Sequence, residues 1–311
     1  MEEQFVSGIR GDKGGMVMVD GGELREILTR LGSVPVRRTP GGSAGNTVFD
    51  LARLAVPTAL LGTVGDDADG EFYRAQLAAA GGSTHALRRS VSAATAACLC
   101  LVTPDAERTM RPALAAALEF DPAGVTEADF AGYTLAHIEG YILAHPEDKV
   151  EHLLKTAGAA GCMISLDLAS FEVVNAFRPA ILRLVEAYVD VVFANSDEAD
   201  ALLGALPPEE QLTRLQLLAP VAVVKMGEKG AWVGRGGEKS FAPAQKVAAV
   251  DTTAAGDSFA AGFLYGLLKG WDDARSARFG AAVAAETVQV FGAALPDDAW
   301  MRLRNLAQAQ E

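Results

Sequence analysis

A bend of small residues that carries an aspartate and leads into an apolar helical stretch is the segment of this sequence best suited to chemistry. The bend reads Asp251-Thr252-Thr253-Ala254-Ala255-Gly256-Asp257-Ser258-Phe259. Its small side chains leave backbone N–H groups uncovered at the predicted helix start, where these groups and the helix dipole attract an anion. A phosphate group could bind there while Asp257, whose ionised form a first helical turn favours, accepts the proton of an attacking hydroxyl. The same residues are also typical of an ordinary helix start, with Asp251 or Thr253 as its cap.

A second glycine-rich turn enters another predicted helix, with the sequence Gly41-Gly42-Ser43-Ala44-Gly45-Asn46-Thr47. Gly41 and Gly42 would let a substrate approach the backbone closely. The Asn46 carboxamide both donates and accepts hydrogen bonds, which suits a diol. Many turns have this composition, so the segment alone is weak evidence. It does not match the dinucleotide-binding fingerprint, which disfavours a nicotinamide-dependent dehydrogenase, and the sequence has no Walker A motif.

Two shorter motifs follow predicted strands. In Asn195-Ser196-Asp197-Glu198, the first and last residues are three positions apart, so a helical turn brings them to one face. The same spacing is typical of a capping box, in which Glu198 reaches back to the helix start. In Lys225-Met226-Gly227-Glu228-Lys229-Gly230, the glycines permit a close approach to the backbone. Lys225 itself is either functional or a charge at the end of a strand.

The elements that must position these residues alternate between short β-rich runs and longer amphipathic stretches. Predicted core strands are Thr58–Val64, Thr134–Ile138, Met163–Asp167, Val189–Ala194 and Val221–Lys225. Predicted helices lie near Ala44–Leu54, Glu71–Ala80, Glu147–Ala159, Val173–Tyr188, Ser196–Leu203 and Phe259–Lys269. Strands separated by helices favour a parallel sheet that is covered on both faces. The continuous apolar run of Val189–Ala194 suits a strand buried on both sides.

Other β-rich runs interrupt this alternation. A hairpin is predicted where Ala97–Val102 and Arg108–Pro112 flank the turn-like segment Thr103-Pro104-Asp105-Ala106. With a short strand at Met16–Val19, this hairpin would form a small β appendage over one edge of the sheet. A second hairpin is predicted where Ala231–Gly234 and Glu238–Phe241 flank Gly236-Gly237. Lys246–Val250, just before the bend, also resembles a strand in composition.

Composition limits the class of protein. Half of the 311 residues are hydrophobic, so the chain can bury a large core. A net charge of −13 disfavours non-specific binding to nucleic acid or anionic membranes. The sequence has no run of 18 apolar residues, so no membrane span is predicted. The acidic N-terminus does not resemble a signal peptide, so we expect a cytoplasmic location. Cys98 and Cys100, on one face of a predicted strand, and Cys162 are expected to be small buried hydrophobes rather than disulfide or metal ligands.

Taken together, the motifs resemble those of the ribokinase-like (PfkB) carbohydrate kinase family. The bend is similar to the family's second signature, Asp-Thr-Thr-Gly-Ala-Gly-Asp, with Ala254 in place of the first glycine. This alanine is expected to be tolerated if its φ stays negative. The family also has a Gly-Gly pair followed by an Asn, an Asn-x-x-Glu motif and a strand ending in Lys-x-Gly-x-x-Gly, all in the order found here. The resemblance runs from about Lys13 to Ala293. Two segments, Lys13–Asp20 and Asp105–Met110, are most similar to the bacterial adenosine-kinase-like branch of the family.

The resemblance implies a ribokinase-like three-layer α/β/α sandwich with a mainly parallel central sheet. It implies a single kinase domain over residues 1–311, with a β lid from about residues 14–40 and 94–113. The implied activity is ATP- and Mg²⁺-dependent phosphorylation of an alcohol group of a sugar or sugar-like substrate. Adenosine or another nucleoside is the alternative acceptor, and a catalytically silent ligand-binding member is the second alternative. We expect this sequence to begin after the family's first core strand, which carries a substrate-binding Asp.

The resemblance also implies roles for individual residues. Asp257 would be the catalytic base, beside an anion hole formed by Ala254, Ala255 and Gly256. The substrate would contact Gly41, Gly42 and Asn46. ATP would lie along the loops that contain Lys225, Gly227, Gly230 and Thr253, and Asn195 and Glu198 would position Mg²⁺ through its water shell. An activating K⁺ would bind near Asp251 and Thr253, and a homodimer would form through the lid strands.

Overall fold

The computed structural model of the protein describes residues 3–104 and 108–309. Contacts among these residues define a small unit, within the ranges Met1–Gly41 and Ala59–Phe120, and a large unit, within the ranges Gly42–Thr58 and Asp121–Glu311. In chain order, the helices and strands are α1 (Glu3–Ser7), α2 (Gly21–Leu31), α3 (Ser43–Arg53), β1 (Gly62–Gly65), α4 (Ala68–Ala80), β2 (Leu87–Ser90), β3 (Ala97–Val102), β4 (Arg108–Ala113), β5 (Leu135–Glu139), α5 (Glu147–Ala159), β6 (Met163–Asp167), α6 (Phe171–Tyr188), β7 (Val191–Asn195), α7 (Ser196–Leu203), α8 (Pro208–Leu215), β8 (Val221–Lys225), β9 (Ala231–Arg235), β10 (Glu238–Ala242), α9 (Ala255–Leu268), α10 (Asp273–Thr287) and α11 (Asp297–Gln308). Among the described helices, none is long and apolar enough to cross a lipid bilayer.

The large unit is built on a sheet with the strand order β10-β9-β8-β7-β6-β5. Strands β5 to β8 are parallel, whereas β9 is antiparallel to both β8 and β10. Successive parallel strands are linked through α5, then α6, then α7 with α8. Parallel neighbours need such crossovers because one strand ends at the opposite edge of the sheet from the start of the next. The mainly parallel sheet and its connecting helices confirm the predicted α/β fold.

The centre of this sheet is apolar on both faces. Residues 191–194 of β7 and 221–224 of β8 are at most 2% exposed, as expected for strands that are covered on both sides. On one side α9 contributes Phe259, Phe263 and Leu264 to a hydrophobic cluster with residues of β7, β8 and β9. α9 also crosses α10 closely, since a Cβ added to Gly262 would lie 2.7 Å from Gly280 Cα. The start of α9 is therefore held by packing along the whole helix.

The small unit has a core of its own. β1 and β2 are parallel neighbours, and β3 and β4 form an antiparallel hairpin. α1 and α2 cover one face of this hairpin, where apolar side chains of both helices cluster with Leu99, Leu101 and Ala113. The structure thus contains the predicted hairpin, whereas the predicted turn residues Asp105 and Ala106 lie outside the described residues.

Some predicted elements differ from the observed ones. Met16–Val19 is not a strand: Met16 forms an isolated parallel bridge with Met110, next to the hairpin. Thr58–Val64 becomes a strand only at Gly62. Lys246–Val250 is not a strand either, because the Val250 N–H donates to the Val288 carbonyl after α10 (2.7 Å) rather than to a neighbouring strand. The Gly236-Gly237 hairpin is present, and both glycines have the positive φ (58° and 86°) that its turn requires.

The cysteines are only partly as expected. Cys162 is buried, but Cys98 and Cys100 are exposed. The reason is the alternation of β3: Leu99 and Leu101 occupy the face that α1 and α2 cover, and the cysteines point away from it. Composition alone could not decide which set of alternating residues would be buried.

Candidate active site

Each of the parallel strands β5 to β8 ends on a polar residue. These residues are Glu139, Asp167, Asn195 and Lys225. The strand register places Glu139 opposite Asp167, and Asn195 opposite Lys225. Because parallel strands bring their carboxyl ends to the same edge of a sheet, the polar side chains share that edge, which is where open α/β sheets bind ligands. The candidate active site lies here, within the large unit.

The bend predicted from the sequence lies beside Lys225. α9 begins at Ala255, and no side chain in the described part of the chain caps it. A Cβ added to Gly256 would lie 3.2 Å from Lys225 Nζ, so the glycine keeps the space in front of the ammonium open. Residues 253–257 are partly exposed. Since the N–H groups of a first helical turn have no intrahelical acceptor, the helix start and the ammonium together can bind an anion.

The Asp257 side chain is held by the helix that follows the other glycine-rich turn. Ser43 Oγ donates to Asp257 Oδ1 (2.8 Å), and Asn46 Nδ2 donates to Oδ2 (2.7 Å). Thr47 Oγ1 donates to the Asp257 main-chain carbonyl (3.2 Å). Each carboxylate oxygen thus accepts a hydrogen bond from α3, which fixes the orientation of the group. Asn46, predicted to contact substrate, uses one amide N–H for this purpose.

The Asp257 carboxyl group has a raised pKa, although a first helical turn was expected to favour its ionised form. Burial raises the pKa of Asp257 to about 7, although the hydrogen bonds from Asn46 and Ser43 act to lower it. The nearby Asp167 raises this pKa further and Lys225 lowers it. This direction is opposite to the one expected for a carboxylate in a first helical turn, because desolvation outweighs the hydrogen bonds that favour the ionised form. A pKa near neutrality suits a general base.

Lys225 is anchored by a buried ion pair. Its Nζ lies 2.5 Å from Asp167 Oδ2, and the side chains are only 13% and 5% exposed. Burial acts to lower the pKa of Lys225, but Asp167 and Glu198 raise it above the usual value. The ammonium therefore stays charged and points towards the start of α9. Lys225 is thus a buried and paired charge at the end of its strand.

Asn195 and Glu198 form the capping box that the sequence allowed as an alternative. Glu198 N–H donates to Asn195 Oδ1 (2.9 Å), while the Asn195 N–H and Nδ2 donate to the Glu198 carboxylate (2.7 Å each). Glu198 is 2% exposed, and burial raises its pKa to about 7, against the effect of Lys225. Both carboxylate oxygens already accept hydrogen bonds, so this pair suits contact with a hydrated ion better than direct ligation.

The predicted ligand-contacting glycines separate into two kinds. A Cβ added to Gly41, Gly42 or Gly227 would meet nothing within 4 Å, so the space beside these residues is open. Gly42 (φ 93°) and Gly227 (φ 57°) also need the conformational freedom of glycine. Gly230 is different, because a Cβ there would lie 2.2 Å from the Ala242 carbonyl oxygen. Gly230 is thus required for packing against β10. Gly41, in the small unit, accepts a hydrogen bond from the Tyr73 hydroxyl (3.1 Å).

Asp251 organises the start of the bend. Its Oδ1 accepts hydrogen bonds from Thr253 N–H (2.9 Å) and Oγ1 (2.6 Å), and its Oδ2 accepts from Gly292 N–H (2.8 Å). The side chain is 5% exposed. These bonds connect the bend to the segment after α10 and leave Thr253 next to the start of α9.

Ala254 does not have the backbone conformation that we expected. Its φ is 61° and its ψ is 5°, in the left-handed region. The condition that φ stays negative is therefore not met. An alanine here costs about 1–2 kcal/mol relative to a residue without a Cβ, and the surrounding packing must offset that cost.

Sequence reasoning missed Ser43, Glu139 and Asp167. Glu139 accepts a hydrogen bond from the Ala44 N–H (2.8 Å), which ties β5 to the start of α3. Burial raises the pKa of Glu139. Glu139 and Asp167 could have been found from their position, since each is the last residue of a buried parallel strand. Ser43 carried no comparable signal.

The chain is similar in sequence and in fold to known proteins. Residues 34–300 match the pfkB family carbohydrate kinase. A curated relative, the ATP-dependent ribose-1-phosphate kinase of Halopiger xanaduensis, is 31% identical over 257 residues, which cover 83% of each protein. The crystal structure of adenosine kinase from Sinorhizobium meliloti has a TM-score of 0.88 and 30% identity, covering all of this chain and 94% of that one. An E. coli structure with the same fold, solved with ATP and Mg²⁺, has a TM-score of 0.78 and 23% identity, covering 94% and 95% of the two chains.

The chain belongs to the pfkB family of carbohydrate kinases. The fold is ribokinase-like, as the sequence predicted. The protein is an ATP-dependent phosphotransferase that acts on a sugar or a nucleoside.

Proposed function

We propose that the protein transfers the terminal phosphoryl group of ATP to an alcohol of a sugar or sugar-like substrate, with Asp257 as the base. The observation that carries this proposal is the Asp257 carboxylate, held on both oxygens by Ser43 and Asn46, next to an uncapped helix start that Lys225 faces. The base for the acceptor hydroxyl and the binding site for the transferred phosphoryl group are thus adjacent, as in-line transfer requires.

In this mechanism the substrate hydroxyl donates to Asp257, which takes its proton as the oxygen attacks the phosphorus. The developing negative charge on the phosphoryl oxygens is stabilised by the amides of Ala254, Ala255 and Gly256 and by the Lys225 ammonium. Asp167 positions that ammonium through the 2.5 Å ion pair. Gly41 and Gly42 leave room for the substrate to approach the protein backbone, and Asn46 keeps one N–H and its carbonyl for substrate hydroxyls.

ATP would extend from the bend over the loop after β8. The open space at Gly227 supports this course. Thr253 would contact the nucleotide at the bend. Gly230 supports it only indirectly, by shaping the loop against β10. Mg²⁺ would supply charge neutralisation on the phosphates. Asn195 and Glu198 fit a hydrated ion, because a carboxylate and an amide can accept from its water ligands while keeping their mutual hydrogen bonds.

The relatives are named for different acceptors. One relative is named a ribose-1-phosphate kinase and one structural neighbour an adenosine kinase, so a pentose unit is common to both names. We place a free or phosphorylated sugar first and adenosine second. Turnover of ATP with Mg²⁺ against ribose, ribose-1-phosphate, fructose and adenosine at equal concentrations would separate them. Binding without turnover on the whole panel would favour the silent ligand-binding alternative. Activation by K⁺ near Asp251 and a homodimer through the hairpin stay predictions.

Asp257→Asn tests the assignment of the base. The variant keeps an acceptor for Ser43 or Asn46 but cannot take a proton, so kcat should fall by about 10²–10⁴-fold. The matched control is Asp298→Asn, which alters another first-turn aspartate, in α11, outside the site. If Asp257 were only a favourable first-turn residue, the two substitutions would leave kcat equally unaffected. That result would remove the base from the mechanism.

A further inference from the structure

The exposed face of the β3–β4 hairpin in the small unit is rich in sulfur. Cys98 and Cys100 are exposed on β3, and their Sγ atoms are 3.9 Å apart. The strand register places Cys100 opposite Met110. Met16, which bridges Met110 on its other side, is 37% exposed. Nothing in the proposed phosphotransfer uses these side chains.

The distance between the thiols fits a shared metal ion better than a disulfide. Two sulfurs that bind one ion at about 2.3 Å are about 3.8 Å apart at a tetrahedral angle and about 4.0 Å apart at a trigonal one. The observed separation is 3.9 Å. A disulfide needs about 2.04 Å, and the Cα atoms of residues i and i+2 on a strand are about 6.6 Å apart, near the upper limit for such a bond. The hairpin therefore holds the thiols at a chelating distance and resists closing them into a ring.

A third soft donor lies within reach. Side chains of opposite residues on antiparallel strands have Cβ atoms about 4.5–5.5 Å apart on one face, so the Met110 thioether can approach an ion held by the thiols. The hairpin is a firm support for such a site, because Leu99 and Leu101 on its other face are buried against α1 and α2.

The donor set selects the kind of metal. Thiolate and thioether sulfur favour Cu(I), which accepts low coordination numbers, whereas a structural Zn²⁺ site needs four N, S or O ligands. Across the residues that the structure describes, no group of three or more His, Cys, Asp or Glu side chains could hold a metal. Zn²⁺ would thus find too few ligands. We propose that Cys98, Cys100 and Met110 form a binding site for a soft monovalent cation of the Cu(I) type.

Binding changes protonation but not oxidation state. Each thiol loses its proton as an S–Cu bond forms, the thioether donates a lone pair, and the ion remains Cu(I). Two protons are released for each ion bound, so affinity should rise with pH.

Competition with a chromophoric Cu(I) chelator in anaerobic, reducing buffer tests the proposal. The intact chain should take up one Cu(I) and release two protons. Cys98→Ser or Cys100→Ser should weaken binding by more than roughly 100-fold, since even groups that only orient a metal ligand contribute 10–100-fold. Met110→Leu should weaken it less than either. Zn²⁺ should not compete at equal concentration.

The controls are Cys162→Ala, which removes a buried thiol outside the hairpin, and Met301→Leu, which removes an exposed thioether on α11. Both should bind Cu(I) like the unaltered chain. Because Cys98 and Cys100 are exposed, their serine variants should also keep the thermal stability of the parent. If Cys98→Ser and Cys100→Ser take up Cu(I) with unchanged affinity, or if the loss follows Cys162→Ala instead, there is no such site on the hairpin.

Discussion

Replacing Ala254 by glycine should stabilise the protein, because Ala254 has φ 61° and ψ 5°. A residue with a Cβ pays about 1–2 kcal/mol in this left-handed conformation, whereas glycine pays almost nothing. The substitution also increases the conformational entropy of the unfolded chain, which costs about 0.4–1 kcal/mol. Taking about 1.5 kcal/mol for the first effect and about 0.7 for the second leaves a gain of about 0.8 kcal/mol.

The neighbouring residue provides a chemically identical control with the opposite sign. Ala255 is the first residue of α9, where the backbone is helical. Ala255→Gly should destabilise the protein by about 0.5–1 kcal/mol, because only the entropic penalty remains. The two variants should therefore differ by about 1.5 kcal/mol in free energy of unfolding. Ala55→Gly, at an exposed residue with φ 63°, should be stabilising like Ala254→Gly.

Urea unfolding at constant pH, followed by tryptophan fluorescence and far-UV circular dichroism, measures these differences. Thermal unfolding should agree, with a rise of about 2 °C for Ala254→Gly, given the shift of about 2–4 °C per kcal/mol in chains of 150–250 residues. If Ala254→Gly loses stability as Ala255→Gly does, the strain at this position is not real, and the bend has another conformation in solution.

Three further predictions concern charged groups. The value of kcat/KM should rise with pH through about 7, because burial raises the pKa of Asp257 to about 7 and the base must be ionised. A flat profile of kcat/KM between about pH 5 and 9 would show that another group takes the proton. Lys225→Met should destabilise the protein by about 3–5 kcal/mol, because it leaves Asp167 buried without its partner. In the double variant that also carries Asp167→Asn, urea unfolding should show restored stability, but ATP turnover should stay lost. If turnover recovers as well, the Lys225 ammonium is not used in the reaction. Asp50→Asn should flatten the pH dependence of stability, because burial raises the pKa of Asp50 to about 7. The stability that the protonated Asp50 contributes is complete below the unfolded pKa near 4 and is lost as pH rises towards 7. If urea unfolding at pH 4.5 and 7.5 gives the same pH dependence for the variant as for the parent, Asp50 is not responsible for it.

Three carboxyl groups with raised pKa values create a conflict between stability and activity. Burial raises the pKa of Asp257, Asp50 and Glu198 to about 7 each, so the folded state loses stability over the pH range in which the proposed base becomes ionised. Asp50 lies behind the base, where its Oδ2 accepts from Ser258 Oγ (2.6 Å), which in turn accepts from Thr287 Oγ1 (2.9 Å). These hydrogen bonds connect α3, α9 and α10 below the site.

Local sequence was sufficient for those features that depend on neighbours along the chain. The apolar runs of β7 and β8 predicted buried parallel strands, because only strands covered on both faces are apolar at every position. The small residues before α9 predicted an uncapped helix start, and the spacing of Asn195 and Glu198 allowed the capping box that is present. The position of Asp257 in the first helical turn was also a local property.

Tertiary structure decided the features that depend on residues far apart in sequence. Ser43 and Asn46 are 214 and 211 residues from Asp257, and no local pattern could show that they hold its carboxylate. The pKa of Asp257 depends on how much water the surrounding packing excludes. The Lys225–Asp167 ion pair depends on the register of the parallel strands. Likewise, the face of β3 that carries Cys98 and Cys100 became exposed only because α1 and α2 cover the other. Short-range preferences set the backbone path, but solvent exclusion and long-range contacts set the charge and orientation of each group in the site.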